Sequence, residues 1–230
     1  MHLSLAAVIA ASSAATAYGS KAGKQSKTQS FSKVAKSASA YSTSMSMSVG
    51  PNPSDNIILW ETKCVDSETG KLSLTLVNNL SDKWQTEFAV ALAGWSQSEA
   101  LTLKVERGGF DENCKPQSCA IVLCNENYGE TGSVGDYENE VDQVTNRITS
   151  SVITMNDYYQ ESTSFIRREF TMCHDLGHGF GLLSTDPIDS CEGQEAWRCQ
   201  DCMHYTDNPG EGNMLPGDLN FRKLSDAYLD

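Results

Sequence analysis

Short β-prone runs interleaved with two helix-forming stretches constrain this chain more than any other feature. "NIILWETKCV" (residues 56–65) and "KLSLTLV" (residues 71–77) mix β-branched and apolar residues over strand-like lengths. Beyond them, Trp84, Phe88, Ala91, Leu92 and Trp95 recur at helical spacing, so a helix capped by Ser81 buries one aromatic-rich face. "LTLKV" alternates, which points Leu101, Leu103 and Val105 inward from a half-buried strand. "CAIVLC" is apolar between its cysteines, as a buried strand is, and "RITSSVITM" reads as a β-prone edge strand. A second helix runs through "FIRREFTMCHDLGHGFGLL", with Ser162, Thr163 or Ser164 as its cap. Strand, helix, strands and helix in that order fold as an α/β sheet.

The second helix carries the candidate chemistry. His174 and His178 lie at i and i+4, so they project from one face one turn apart. Two neutral imidazoles so placed reach one zinc ion at about 2.0–2.1 Å. In H-E-x-x-H peptidases the acid after the first histidine is the general base, and Asp175 holds that position here. Gly181, seven residues after His174, stands where the pattern H-E-x-x-H-x-x-G-x-x-H bends the chain toward a third ligand, a position occupied here by Ser184.

A later block, "CQDCMHYTDNP", adds to the pattern: Met203-His204-Tyr205 resembles the Met-turn of metzincins. Together with "SSVITMNDYYQ", "FTMCHDLGHGFGL" and "CMHYTDNPGEGNMLPGDLNF", residues 136–221 resemble secreted metzincin-type zinc metalloproteases of a fungal and diatom group. The resemblance implies a metzincin-like zincin domain of α/β class, with a mixed twisted sheet, an active-site helix and a disulfide-rich C-terminal subdomain. It further implies zinc as cofactor on His174 and His178, Asp175 as general base and Tyr205 as donor to a developing oxyanion. A peptide or protein substrate would pair along "ITSSVITM" as the edge strand, and Cys173 and Cys202 would form a disulfide.

Two positions depart from that family. Asp175 replaces Glu, which draws the carboxylate back by about 1.5 Å, one C–C bond. Ser184 replaces the third His, and a neutral hydroxyl is a weaker zinc donor than imidazole. The third ligand stays open between Asp186, His204, Tyr205 and water alone. Two functional readings follow. One is a zinc metalloendopeptidase with an altered site; the other is a protease-fold domain with weak or lost catalysis, acting as a peptide-binding or cell-wall/biosilica matrix protein.

The N-terminal residues differ in kind. Residues 3–17 are apolar and end in Ala15-Thr16-Ala17, which predicts a signal peptide over 1–17 and a secreted chain. No stretch reaches the ~20 apolar residues of a membrane span. Ten of the 33 residues from 18 to 50 are serine, so residues 18–54 are expected to be a disordered Lys/Ser-rich segment before a domain over 55–230. Lys21, Lys24, Lys27, Lys33 and Lys36 resemble the K-x-x-K clusters of silaffins, which implies silica or cell-wall matrix as a partner; a solvated linker is the plain alternative. The first 50 residues hold five lysines and no acid, so the formal −13 of the whole chain becomes −18 over the remainder. That charge excludes nucleic acid as a partner of the domain.

Eight cysteines on a secretory route predict four disulfides, whose pairing the spacing alone does not give. Cys199-Gln-Asp-Cys202 lacks the second C-x-x-C that a zinc-thiolate cluster needs. One glycosylation sequon occurs, Asn79-Leu80-Ser81.

Overall fold

Among the described residues five strands organise the fold: β1 (Leu72–Asn78), β2 (Leu101–Arg107), β3 (Ala120–Glu126), β4 (Gly135–Asp142) and β5 (Arg147–Asn156). The structure is a computed structural model that describes residues 57–109, 114–184, 200–204 and 206–229, all within the compact unit Val49–Asp230. The expected signal peptide and Lys/Ser-rich segment lie outside the described residues, as do Asp186, Cys191, Cys199 and Tyr205.

The strands form one mixed sheet in the order β2-β1-β3-β5-β4. β1 is parallel to β2 and β3, and β3 is parallel to β5; β4 runs antiparallel to β5. The apolar run of β3 sits at the centre, as its composition predicts, and its residues face two cores. Ile121 and Leu123 point into the larger one, whereas Ala120, Val122 and Cys124 meet Cys114, Val77 and Val152 on the opposite side.

The edge-strand expectation for "RITSSVITM" is corrected. β5 is an interior strand, flanked by β3 and β4, with Ile148, Ile153 and Met155 fully buried. The edge is β4, whose sequence GDYENEVD is half exposed and half charged, a composition that keeps an open edge from pairing indiscriminately. β2 forms the other edge. Its alternation fades along the strand: Leu101 is buried, Leu103 half-buried, and Val105 is 42% exposed although it pairs with the buried Leu76 of β1. The segment 57–65 is not a strand either. Its hydrogen bonds stitch two elements together, with Ile58 N–H donating to Gly181 O (2.8 Å) and Glu61 N–H donating to Ile148 O (2.9 Å), before a 3-10 turn over Thr62–Cys64.

Three helices are described: α1 (Gln85–Trp95), α2 (Phe165–Gly179) and α3 (Asp218–Tyr228). α1 starts later than a Ser81 cap predicts, after a 3-10 turn at Asp82–Trp84. The Ser81 hydroxyl accepts instead from Asn125 Nδ2 (3.1 Å), tying the turn to β3. The apolar stripe itself is core: Trp84, Phe88, Ala91 and Trp95 are buried. α2 is capped by Ser164, whose side chain accepts from Arg167 N–H (3.3 Å). The two helices meet through Trp95, which donates its indole N–H to Cys173 O (3.0 Å) and packs edge-on to Phe180.

Three disulfides join described cysteines: Cys64–Cys119, Cys114–Cys124 and Cys173–Cys202. The last is the pairing that the family resemblance implies. Asn79 of the sequon is only 7% exposed, so the folded chain does not offer it to a glycosyltransferase. No described helix is long and apolar enough to cross a membrane.

Candidate functional site

α2 ends in a turn that builds the site. Gly181 N–H donates to His178 O and Leu182 N–H reaches back to Gly177 O (3.0 Å), a Schellman-type closure with Gly181 at φ +98°. A β-carbon at Gly181 would strike the Ile58 carbonyl, so both φ and space require glycine there. The reversal carries Leu182 and Ser184 back beside the helix.

There His178 Nδ1 meets Leu182 O at 2.8 Å, and His174 Nδ1 meets Cys202 O at 2.6 Å. A carbonyl only accepts, so these partners assign the Nδ1–H tautomer to both rings and leave both Nε2 lone pairs free. The two Nε2 atoms lie 2.9 Å apart. Ser184 Oγ stands 3.2 Å from His178 Nε2 and 3.4 Å from His174 Nε2, and its one proton can serve only one of them. The site is thus three lone-pair donors converging on one point.

Protonation does not resolve this crowding. Burial pushes the His178 imidazole down to about 4, with the neighbouring His174 adding to the effect, and burial likewise lowers His174. The donor set suits a cation better. Tetrahedral zinc with bonds of about 2.0–2.1 Å would hold two ligand nitrogens roughly 3.3 Å apart, close to the separation observed. Among the described residues no third His, Cys, Asp or Glu joins the pair, so Ser184 is the third donor that the fold itself supplies.

Asp175 takes a different direction. Its side chain lies against Gly135 at the start of β4, where a β-carbon would come within 2.6 Å of its Oδ2, and that oxygen has no hydrogen-bond partner among the described residues. Burial, reinforced by Asp136, raises its pKa well above the ordinary carboxylate range. Asp175 and His174 share a cleft of about 170 Å³ between α2 and residues 132–135. His204 donates its main-chain N–H to Asp201 O (3.2 Å) and does not join the histidine pair in a cluster of metal-ligating side chains. Asp186 and Tyr205 lie outside the described residues.

Met203 is fully buried beneath the helix. Gly177, the residue before His178, leaves the room that its thioether occupies, with Trp95 also close by. Tyr137 of β4 stacks on the His178 ring at 4.1 Å, and Asn139 donates to His178 O (2.9 Å), so the edge strand buttresses the second histidine. Sequence reading missed both; their positions i and i+2 on one face of β4 are the signal, visible only once β4 is recognised as a strand.

No family model matches this chain, and no curated protein matches it. Similar solved structures include two of myroilysin, both 13% identical. Their TM-scores are 0.40 and 0.39, and they cover 76% and 77% of this chain and 98% and 93% of theirs. Another is high choriolytic enzyme 1, a hatching-enzyme zinc-protease from the medaka fish Oryzias latipes, 10% identical with a TM-score of 0.39 over 76% of this chain and 99% of that one. Likeness at this level concerns the fold and not the activity.

Proposed function

We propose that this chain is a secreted, zinc-dependent metalloendopeptidase of metzincin type, with the metal held by His174, His178 and the Ser184 hydroxyl. The observation that carries the reading is the convergence of two Nε2 lone pairs 2.9 Å apart, each ring locked by a carbonyl on its other nitrogen. The motif order Asp175, Gly181, Met203 supports it from sequence. Zinc bound there would supply Lewis-acid polarisation of a scissile carbonyl and acidify water beside it. The chain's own part is to orient both imidazoles, hold an extended peptide along the open edge of β4 and take up a proton at Asp175.

One observation favours a second reading, a peptide-binding protein with weak or lost catalysis. Burial raises the Asp175 carboxyl well above the ordinary carboxylate range, which works against the ionised form that a general base needs. The signal peptide expected over residues 1–17 supports a location outside the cell for either form; the silaffin-like lysine spacing favours attachment to silica or cell-wall matrix. The deciding experiment pairs zinc stoichiometry of the purified protein with casein hydrolysis. About one zinc per chain, lost in His174→Ala, with hydrolysis blocked by a chelator, supports the peptidase. Zinc without hydrolysis selects the binding protein. A chain with no zinc at any pH above 7 sinks the metal reading.

A further inference from the structure

The cleft beside His174 has a polarity of its own. On the helix side it is lined by Arg167, Phe170, Thr171, His174 and Asp175, which are the i, i+3, i+4, i+7 and i+8 positions of one stripe along α2. The cleft therefore runs lengthwise, with Arg167 at one end and the histidine at the other, roughly 10 Å apart at 1.5 Å per residue. Its volume, about 170 Å³, is below the roughly 300–1,000 Å³ of drug-sized pockets and suits a single side chain.

Arg167 is the only cation among the lining residues. It is exposed and donates Nη1 to the Asp207 carbonyl (2.7 Å), which fixes the guanidinium without neutralising it. Among the described residues no carboxylate lies within ion-pair distance of it. Of the acids near the cleft, Asp175 and Asp136 belong to the opposite, histidine end, and Asp207 meets Arg167 through its main-chain carbonyl. On a chain of net charge −13 an uncompensated arginine at the end of a one-side-chain cleft is a selective feature. Its remaining N–H groups form a planar fork that matches a carboxylate and does not match a neutral amide or an ammonium.

We infer that Arg167 is a specificity-determining residue that selects a peptide carrying an acidic side chain, glutamate above its neutral isostere, seated in this cleft beside His174. The inference rests on the peptide-binding reading of the site but not on catalysis or on zinc. Phe170 and Thr171 supply the walls along which the methylene part of the side chain lies. Asp136, beside Asp175 at the histidine end, repels an acid and so orients it toward the guanidinium.

The test is equilibrium binding of fluorescein-labelled heptapeptide pools to the full secreted chain, with the central residue fixed as Glu, Gln or Lys and the flanks random. The Glu pool should bind about five-fold more tightly than the Gln pool at low salt, with Lys weakest, and the preference should shrink at 0.5 M NaCl. Arg167→Gln should bring the Glu and Gln pools within two-fold of each other, and Arg167→Glu should make Lys the preferred residue. Because Arg167 is exposed on the helix surface, both variants should keep the parent melting temperature. Equal binding of Glu and Gln pools by the parent overturns the inference, as does a Glu preference that survives in Arg167→Gln, or a folded chain that binds no pool at all. Zinc content measured on the same samples reports on the metal reading separately, since Arg167 is not a donor in it.

Discussion

His174 and His178 present their Nε2 atoms to each other at 2.9 Å, while their Nδ1 atoms face the carbonyls of Cys202 and Leu182. Two acceptors so close, in rings whose burial resists protonation, form a cradle for a cation, and the quality of that cradle depends on the third donor. Asp175→Glu combined with Ser184→His should therefore give tight zinc binding and clear casein hydrolysis. Ser184→His alone should raise zinc affinity with little proteolysis. Asp175→Glu alone should do less, because a base has nothing to act on where the metal is poorly held. A folded double variant that binds no zinc would mean the site differs from the pattern in more than these two residues.

A second buried acid governs stability rather than the site. Glu169 on α2 is fully buried with both carboxylate oxygens unpartnered among the described residues, and burial, aided by Glu87, pushes its pKa up to about 8. Glu87 is itself engaged by Arg168 Nε at 2.7 Å, so that arginine's charge is already shared. The folded protein then binds a proton at Glu169 that the unfolded chain, titrating near 4.5, releases. Stability contributed by this group is present below pH 4.5 and falls as pH rises toward 8, by an amount on the order of a few kcal/mol. Glu169→Gln should flatten the melting-temperature profile between pH 5 and 8 and raise the melting temperature at pH 8. An unchanged slope in that variant would place the pH dependence elsewhere.

Much of this was legible in the sequence, and the reasons for the rest are physical. β1 and β3 follow from apolar strand-length runs, and the helix of the histidines from its cap and spacing. β4 was not legible, because GDYENEVD has no apolar alternation; it pairs because β5 offers an open edge and because Gly135 lets the strand approach α2. Residues 57–65 look like a strand by composition, yet Trp60 is drawn away to donate its indole N–H to Gly179 O (3.0 Å). The histidine spacing could be read directly, but the carbonyls that fix the tautomers belong to main chain, and no side-chain pattern reports where a main-chain oxygen points. Arg167 was legible in principle, one helical stripe from His174, had the cleft been known.

Gly181 is the residue on which the reversal after α2 turns. Gly181→Ala should cost about 1–3 kcal/mol from the positive φ, with a further penalty from the β-carbon meeting the Ile58 carbonyl. The Leu182 carbonyl and Ser184 hydroxyl would shift together, so zinc affinity should fall more than in Ser184→Ala. Chemical denaturation and metal titration on both variants check this; equal zinc affinity in the two would separate the turn from the site.

The Cys173–Cys202 bridge sets the orientation of the first histidine as well as the chain connection. It joins α2 at the residue before His174 to the segment whose carbonyl receives His174 Nδ1–H, across 29 residues of sequence. Replacing both cysteines by serine should cost about 2–4 kcal/mol, chiefly by releasing the unfolded chain. The local effect is distinct. Cys202 keeps one other tether, its N–H donating to Leu215 O (2.9 Å), so the segment should stay near the helix with its carbonyl less firmly held. His174 would then sample both neutral tautomers, whereas His178, whose partner Leu182 is fixed by the Gly181 turn, would keep one. Imidazole nitrogen shifts measured by NMR at pH 8 on the metal-free protein distinguish the two rings. Tautomer exchange at His174 alone is the expected result. Exchange at neither ring would show that the bridge serves stability and not the site.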